Sequence, residues 1–487
     1  PRLRATIGGS PLLATADRLR IPFARPGFAA DHVALRLGPS TRLDLATLTG
    51  DFARGGIAGR YAGADGQIAA VPLRMSEGAG RWSLLGGSFA AEGGGRLTHL
   101  ADRPLFESLV SEDLRLRFAG NLITATATLA EPGTETAIVD VDLTHDFNAG
   151  AGEATLDTPR LLFGERLQPD ALTYVTTGVI AEVNGLLSGT GHIRWGPAGV
   201  TSDGVYRIAD ANMAAPFGPV EGLDTEIVFT DLLALRSAPG QTATVQRANP
   251  GVLVEDGALT YQILSSSAVR VEAGRWPFAG GALILEPTVL EFGPGKVQRL
   301  TFRVEGLDAF AFLEARQFEN LAATGILDGV LPVVVDQGGA RIEGGYLVSR
   351  PEGGSLSYTG EISDVNLGVF GTLAFNALEL IRYSTLTIRF DGAIDGEMVT
   401  NVDFTGVTPN IAREGQSFLV AGLTGPLSRL PVRFDITMRA PFQGLLYSVR
   451  LLDDPTFLVS EAIARHRAQS LTPAERDVQA LESEPMP

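Results

Sequence analysis

At 487 residues the chain is too long for one hydrophobic core and is expected to build several domains or one extended structure. A formal net charge of −17, with Lys296 the only lysine, excludes the basic stripe that a nucleic-acid partner needs, and 45% hydrophobic residues argue against disorder. Cysteine is absent, which excludes disulfides, thiolate catalysis and Cys-based metal sites and suits the cytosol or a bacterial periplasm equally.

The chain begins at Pro1 and lacks an apolar run of the roughly eighteen residues that a spanning helix needs. A targeting or anchoring segment is therefore expected to lie outside it. Residues 1–205 repeat one rhythm, a strand of about five to eight residues followed by a Gly, Asp or Asn turn. Leu114, Leu116 and Phe118 share one face; beyond Asn121, so do Ile123, Ala125, Ala127 and Leu129, with Thr124, Thr126 and Thr128 pointing the other way. Thr136–Asp146 does the same, with Ala137, Val139, Val141 and Leu143 opposed by Asp140, Asp142 and Thr144. Such alternation with little helix reads as antiparallel meanders with one apolar and one wet face. GxIxG-like units at 55–59 and 191–194 hint at repetition without a fixed period.

Further on, strands are expected at Asp224–Thr230, Gln241–Arg247 and Gly257–Leu264, with an apolar loop at Asp231–Leu235 and an Asn249-Pro250-Gly251 reversal. More follow at Gly281–Phe292, which carries Leu283 and Leu285, and at Val297–Glu305. Asp308–Ala323 has Phe312, Ala315 and Phe318 at helical spacing and predicts a helix. Then come short strands at Gly325–Leu331, Val333–Asp336, Ala340–Glu343 and Gly345–Val348, with Gly-Gly turns at 338–339, 344–345 and 353–354. Phe375–Tyr383 reads as another short helix.

The cleanest strands come last. Ser384–Asp391 sets Leu386, Ile388 and Phe390 against Thr385, Thr387 and Arg389; Met398–Thr405 sets Met398, Val402 and Phe404 against Val399, Asn401 and Asp403. Val432–Arg439 sets Val432, Phe434, Ile436 and Met438 against Arg433, Asp435, Thr437 and Arg439. Helices are expected at Phe442–Leu452 and Thr456–Gln469, then a disordered acidic tail from Thr472 to Pro487.

Nothing in this pattern asks for catalysis, a metal or a cofactor. The five histidines, His32, His99, His145, His192 and His466, have no metal-ligand spacing, and His145 reads as a surface residue at a strand end. GxSxG and HExxH are missing, GTGHIR at 189–194 lacks the third glycine of a dinucleotide fingerprint, and Asp140 with Asp142 reads as solvated charge. The apolar face admits two arrangements. It forms the inner layer of a closed sandwich, or it lines a sheet that curls into an open trough.

Four ordered blocks resemble the C-terminal part of YdbH-like proteins, AsmA-type intermembrane phospholipid transport proteins of Gram-negative bacteria. They are GPVEGLDTEIVFTDLLALRSAPGQTATVQRANPGVLVEDG (218–257), TGILDGVLPVVVDQGGARIEGGYLVSRPEGGSLSY (324–358), ALELIRYSTLTIRFDGAIDGEMVTNVDFTGVTP (377–409) and LPVRFDITMRAPFQGLLYSVRLLDDP (430–455). The resemblance spans roughly 215–455; earlier residues share only its strand-and-glycine texture. It implies a mostly β fold, a long taco-shaped groove of repeating antiparallel strands. An N-terminal helix outside this chain would hold it in the inner membrane, and its hydrophobic channel would carry phospholipids across the periplasm to the outer membrane. A small outer-membrane lipoprotein would add strands to the C-terminal sheet edge. An older label for such proteins, dicarboxylate transport, is set aside because a strand-rich chain offers a dianion no route through a bilayer.

The expected organisation is a β-groove segment at 1–205, a YdbH-like groove region at 206–455, and a helix with tail at 456–487. Residues expected to face the acyl chains are Leu116, Phe118, Val139, Val141, Leu283, Leu285, Leu386, Ile388, Phe390, Val402, Phe404, Phe434 and Ile436. Val432, Phe434, Ile436 and Met438 mark the strand expected to be offered to the lipoprotein. The alternative is a structural β protein with a closed sheet whose edges bind partners by strand addition.

Overall fold

The computed structural model describes residues 1–358, 381–407 and 431–441, apart from 8–9, 23–25, 38–40, 54, 69–71, 103, 178, 216–217, 250–252, 294, 316–320, 337–338 and 395. The helices expected at Phe442–Leu452 and Thr456–Gln469, and the tail, lie outside these residues. The chain divides into two compact units, one of Pro1–Trp276 with Leu285–Arg299, the other of Pro277–Ile284 with Leu300–Pro487. Both are built from antiparallel strands.

Unit 1 starts as a plain meander: β1 (Arg2–Ile7), β2 (Ser10–Arg20), β3 (Gly27–Leu37), β4 (Thr41–Ala53), β5 (Gly56–Ile68), β6 (Leu73–Leu85) and β7 (Ser88–His99). It continues through β8 (Leu109–Ala119), β9 (Leu122–Ala130), β10 (Ala137–Asp146), β11 (Ala151–Phe163), β12 (Ala181–Gly196), β13 (Gly199–Ala215) and β14 (Gly218–Asp231). Each strand from β1 to β13 pairs with the next. Strand β14 then meets β15 (Arg236–Ser237) and β16 (Gln241–Ala248), followed by β17 (Val254–Ser265) and β18 (Ala268–Phe278). Among the described residues β1 pairs only with β2, so this meander does not close on itself. A small core of Ala30, Val33, Leu45 and Ala64 packs against Phe28, Leu35, Leu43, Tyr61 and Met75.

After β19 (Gly281–Leu285) and β20 (Thr288–Glu291), unit 2 contains β21 (Gln298–Asp308), helix α1 (Ala309–Ala315), β22 (Leu321–Thr324), β23 (Ile326–Asp336), β24 (Gly339–Ser349) and β25 (Gly354–Tyr358). It ends with β26 (Ile381–Ala393), β27 (Glu397–Val407) and β28 (Pro431–Pro441). Strands β23, β24, β26, β27 and β28 lie side by side in that order, and β22 pairs with β25.

Several local expectations change on folding. The strands of residues 1–205 are longer than expected, up to the 16 residues of β12, because glycines lie inside strands as well as at turns. Gly80 sits opposite both Tyr61 and Gly93. A Cβ on Gly93 would come 2.7 Å from the Tyr61 hydroxyl, and one on Gly80 would overlap the Glu92 carbonyl oxygen. Only glycine lets the neighbouring backbones approach this closely. All three tryptophans face glycines in the same way: Trp82 is directly opposite Gly59, Trp195 is opposite Gly152, and the Trp276 ring occupies the space over Gly257.

The pair Gly344–Gly345 is likewise no turn. Strand β24 runs through it, with Gly344 at φ +68 where the register shifts by a bulge. The two strands expected around Pro332 are one, β23, whose register against β24 shifts between Val330 and Val333, across a residue that has no N–H to donate. Conversely, Gly281–Phe292 is broken at Pro287 into β19 and β20. Of the helix expected over Asp308–Ala323, the described residues show Ala309–Ala315, capped by the Asp308 carboxylate, which accepts from Phe310 N at 2.9 Å. Leu321–Ala323, expected at the end of that helix, belong to β22, where strand pairing with β25 outweighs helical spacing. Tyr383, expected at the end of a helix, is a buried residue of β26 whose hydroxyl donates to the Thr324 carbonyl at 2.5 Å.

The bulge in β8 is held by Asp113, which accepts from Thr128 N (2.8 Å), Thr128 Oγ1 (3.1 Å) and Ser111 Oγ (3.1 Å). The Thr128 backbone N–H is the main cause holding its carboxyl below the usual range. A depressed carboxyl stabilises the fold above its unfolded pKa, and that contribution disappears as pH falls through the folded value. Asp113→Asn is therefore expected to melt below wild type at neutral pH. The gap should close on acidification, as followed by thermal melts across the acid range.

Candidate functional site: an apolar lane on the sheet

Successive strand residues point to opposite faces, and directly paired residues share a face, so register shows what each face carries. In unit 1, starting at β4, the row Phe52, Ile57, Leu84, Phe89 and Phe118 continues without interruption into Ile123, His145, Gly152, Trp195 and Val200 on β13. A parallel row runs Phe28, Gly50, Gly59, Trp82, Ala91, Leu116, Ala125, Leu143, Ala154 and Ile193. The row between them falls on the other face and is mostly polar: Asp51, Ala58, Ser83, Ala90, Arg117, Thr124, Thr144, Glu153, Arg194 and Thr201. With strands about 4.8 Å apart, ten strands give a lane about 43 Å wide across the sheet.

The lane is not packed away. Phe52 is 51% exposed, Leu84 45% and Val200 53%, while Leu116, Phe118, Ile193 and Trp195 are half-buried. The inner layer of a filled sandwich would bury all of them. Rings cluster along it: Trp82 lies 6.2 Å from Phe28 and 6.4 Å from Phe89, and Phe118 meets Phe147 edge-on at 5.7 Å.

At the other end of the strands the same face is covered. Leu161, paired with Leu187, and Leu109, paired with Leu97, are buried where residues 100–108 and 164–180 come together. Glu107 N donates to the Leu172 carbonyl at 2.8 Å, and Thr173 Oγ1 to that of Leu105 at 2.9 Å. Gln168 ties this strap to β12 through Val183 N and O.

Unit 2 carries an apolar face of its own. Register aligns Leu347, Ile388, Val402 and Ile436 in one row and Leu386, Phe404 and Phe434 in the next. The other face holds Tyr346, Arg389, Asn401 and Thr437, where Arg389 pairs with Asp403 and Thr437 Oγ1 donates to Asn401 Oδ1 at 2.8 Å. Depth separates the apolar residues. Leu386, Met398 and Phe404 are buried, whereas Ile388, Phe390 and Val402 are half-buried.

A cleft of about 470 Å³ in unit 2 lies on the wet side, lined by Arg303, Glu305, Asp328, Tyr346, Val348 and Arg350. Arg350 grips Asp328 with two hydrogen bonds, 2.7 and 2.9 Å, which keep that carboxyl below its usual range. Its charges neutralise one another, and it is not part of the apolar face.

The structure thus places Leu116, Phe118, Val139 and Val141 on one face of unit 1, with Val139 opposite Leu129 and Val141 between Ala127 and Leu156. Leu386, Ile388, Phe390, Val402 and Phe404 share one face of unit 2. Leu283 and Leu285 are buried. Val432, Phe434, Ile436 and Met438 are placed by the pairing of β28 with β27; their side chains lie outside the described residues. Asp140 and Asp142 are exposed, as solvated charge should be. His145 is not the surface residue expected. It is half-buried in the lane, nearly parallel to Trp195 with ring centroids 6.1 Å apart, and met edge-on by Phe147 at 4.9 Å. Carrying the alternation of Val141 and Leu143 two residues further would have put it there.

A family model described as intermembrane phospholipid transport protein YdbH matches residues 2–464. The chain belongs to the YdbH-like family. The match takes in the residues before 215, where sequence texture alone had pointed the same way. No curated protein and no solved structure matched the chain. The family is one of lipid transport between membranes, and the fold of this YdbH-like chain is the strand-rich, antiparallel one its members imply. Among the described residues, no helix is long and apolar enough to cross a membrane.

Proposed function

We propose that the apolar lane is the surface along which phospholipid acyl chains travel between the inner and outer membranes, across the periplasm. The observation that carries this reading is the half-open row from Phe52 to Val200, which crosses ten consecutive strands, is apolar but for His145, and is backed by charge on the other face. Burying an acyl chain is worth about 0.8 kcal/mol per methylene. A greasy floor therefore holds a tail without polar contacts and lets it slide between equivalent positions. The lane is wider than one leaflet's tail is long, since half of a bilayer core is about 15 Å. Positions 205 and 206 lie inside β13, and pairing with β14 runs through them, which supports reading the segment before 206 as part of the same surface. Leu116, Phe118, Ile388, Phe390 and Val402 are the lining residues on this reading, and the buried Leu283, Leu285, Leu386 and Phe404 support the wall from within.

A photoreactive phenylalanine analogue tests the assignment face by face. At Phe118, Phe89 or Ile388 it is expected to crosslink phospholipid; at Arg117, Arg81 or Thr387, on the other face, it is not. Equal labelling of both faces would sink the proposal.

Strand β28 supports the further reading that a small outer-membrane lipoprotein adds strands at this edge. Among the described residues it pairs with β27 alone, so no described strand takes up the N–H and C=O groups of its other side. Successive N–H groups alternate between the partner strand and the free edge. One of Ile436→Pro and Thr437→Pro is thus expected to abolish lipoprotein capture while the melting temperature and lipid crosslinking upstream are kept. Capture surviving in both would rule out strand addition here.

A further inference from the structure

We propose that His145 is a hydrogen-bond donor to the ester carbonyl of a lipid lying in the unit 1 lane, an inference that rests on the lane being a lipid path. In the row from Phe52 to Val200 it is the one titratable side chain, set between Ile123 and Gly152 by register. Trp195 Nε1 donates to His145 Nδ1 at 3.0 Å. An indole N–H is only a donor, so Nδ1 carries no proton and the neutral ring keeps its hydrogen on Nε2. The hydrogen-bonded indole and the edge-on Phe147 ring hold the imidazole in place. The result is a fixed N–H donor on an otherwise apolar floor, for which no protein acceptor is found among the described residues.

The chemistry of that setting selects the acceptor. Arg117 and Arg194, the cations of the neighbouring row, fall on the opposite face by register, through the pairings Arg117↔Thr124↔Thr144 and Thr144↔Glu153↔Arg194. A phosphate at Nε2 would lose its water without gaining a counter-charge. A neutral carbonyl needs only the one donor. In a phospholipid the ester carbonyl sits where tail meets head group, so a tail lying on Phe118, Ile123 and Trp195 would bring its own carbonyl to this position.

The test compares a short-chain diacyl phosphatidylcholine with its diether analogue, which lacks the carbonyls, by titration calorimetry on the whole chain below the micelle concentration. Wild type is expected to favour the ester lipid roughly five- to tenfold, the size of one net hydrogen bond. His145→Phe, which keeps a ring against Trp195, should bind both lipids as wild type binds the ether. His145→Gln, whose amide both accepts and donates, should recover part of the preference. If wild type binds the two lipids equally, the inference is overturned and the lane reading stands; the same holds if His145→Phe keeps the full preference. If neither lipid binds, both readings fall.

Discussion

Phe390→Asp is expected to cut phospholipid occupancy of the unit 2 face roughly thirtyfold while leaving the fold intact, whereas Phe404→Asp should unfold unit 2. The two phenylalanines share a face of adjacent strands, Phe390 opposite Thr400 and Phe404 opposite Leu386, yet they differ in depth. Phe404 is 2% exposed and Phe390 is half-buried. A carboxylate at 390 reaches water when no lipid is present, so folding costs little; a passing tail would have to desolvate it, a penalty of about 2 kcal/mol or more. At 404 the change removes a buried ring, worth about 3–5 kcal/mol, and leaves an unpaired buried charge. Against a typical domain stability of about 5–15 kcal/mol that is enough to unfold the unit. Lipid crosslinking from a reporter at Ile388, read beside thermal melts, separates the two effects. Undiminished crosslinking in a folded Phe390→Asp variant would remove that face from the path.

The second large effect is expected from the glycines under the lane. Gly80→Val should destabilise unit 1 by about 3 kcal/mol or more, since its Cβ would overlap the Glu92 carbonyl oxygen of the neighbouring backbone. For a unit of this size that lowers the melting temperature by about 6–12 °C. Gly120→Ala is the comparison. That glycine is in a hairpin turn at φ +63 with nothing near its missing Cβ, so the cost is conformational, about 1 kcal/mol. The reverse order in melting temperature would contradict the close backbone approach at Gly80 and Gly93. If the order holds, the glycines inside these strands are there to keep the floor low beneath Tyr61, Trp82 and Trp195. A valine there would raise a step in the path as well as weaken the sheet.

The alternations at Leu114–Leu129, Val139–Leu143 and Ser384–Phe404 were legible because period two is a local property of a strand, written in a handful of consecutive residues. They were enough for the β class, for two unlike faces, and for the resemblance to the YdbH-like family that the match over 2–464 shows. Glycine misled the reading where it sat inside a strand rather than at a turn, as at Gly344, whose φ of +68 serves a bulge, because its tolerance is the same in both settings. Register and depth were the work of the tertiary structure. Only the pairing of strands brings Phe118, Ile123, His145 and Trp195 into one row, and only the folded chain buries Leu109 and Leu161 while Phe118, on the same face, stays half-open. Which way a side chain points is decided by its own neighbours along the chain; what lies beside it and what covers it are decided by residues tens of positions away.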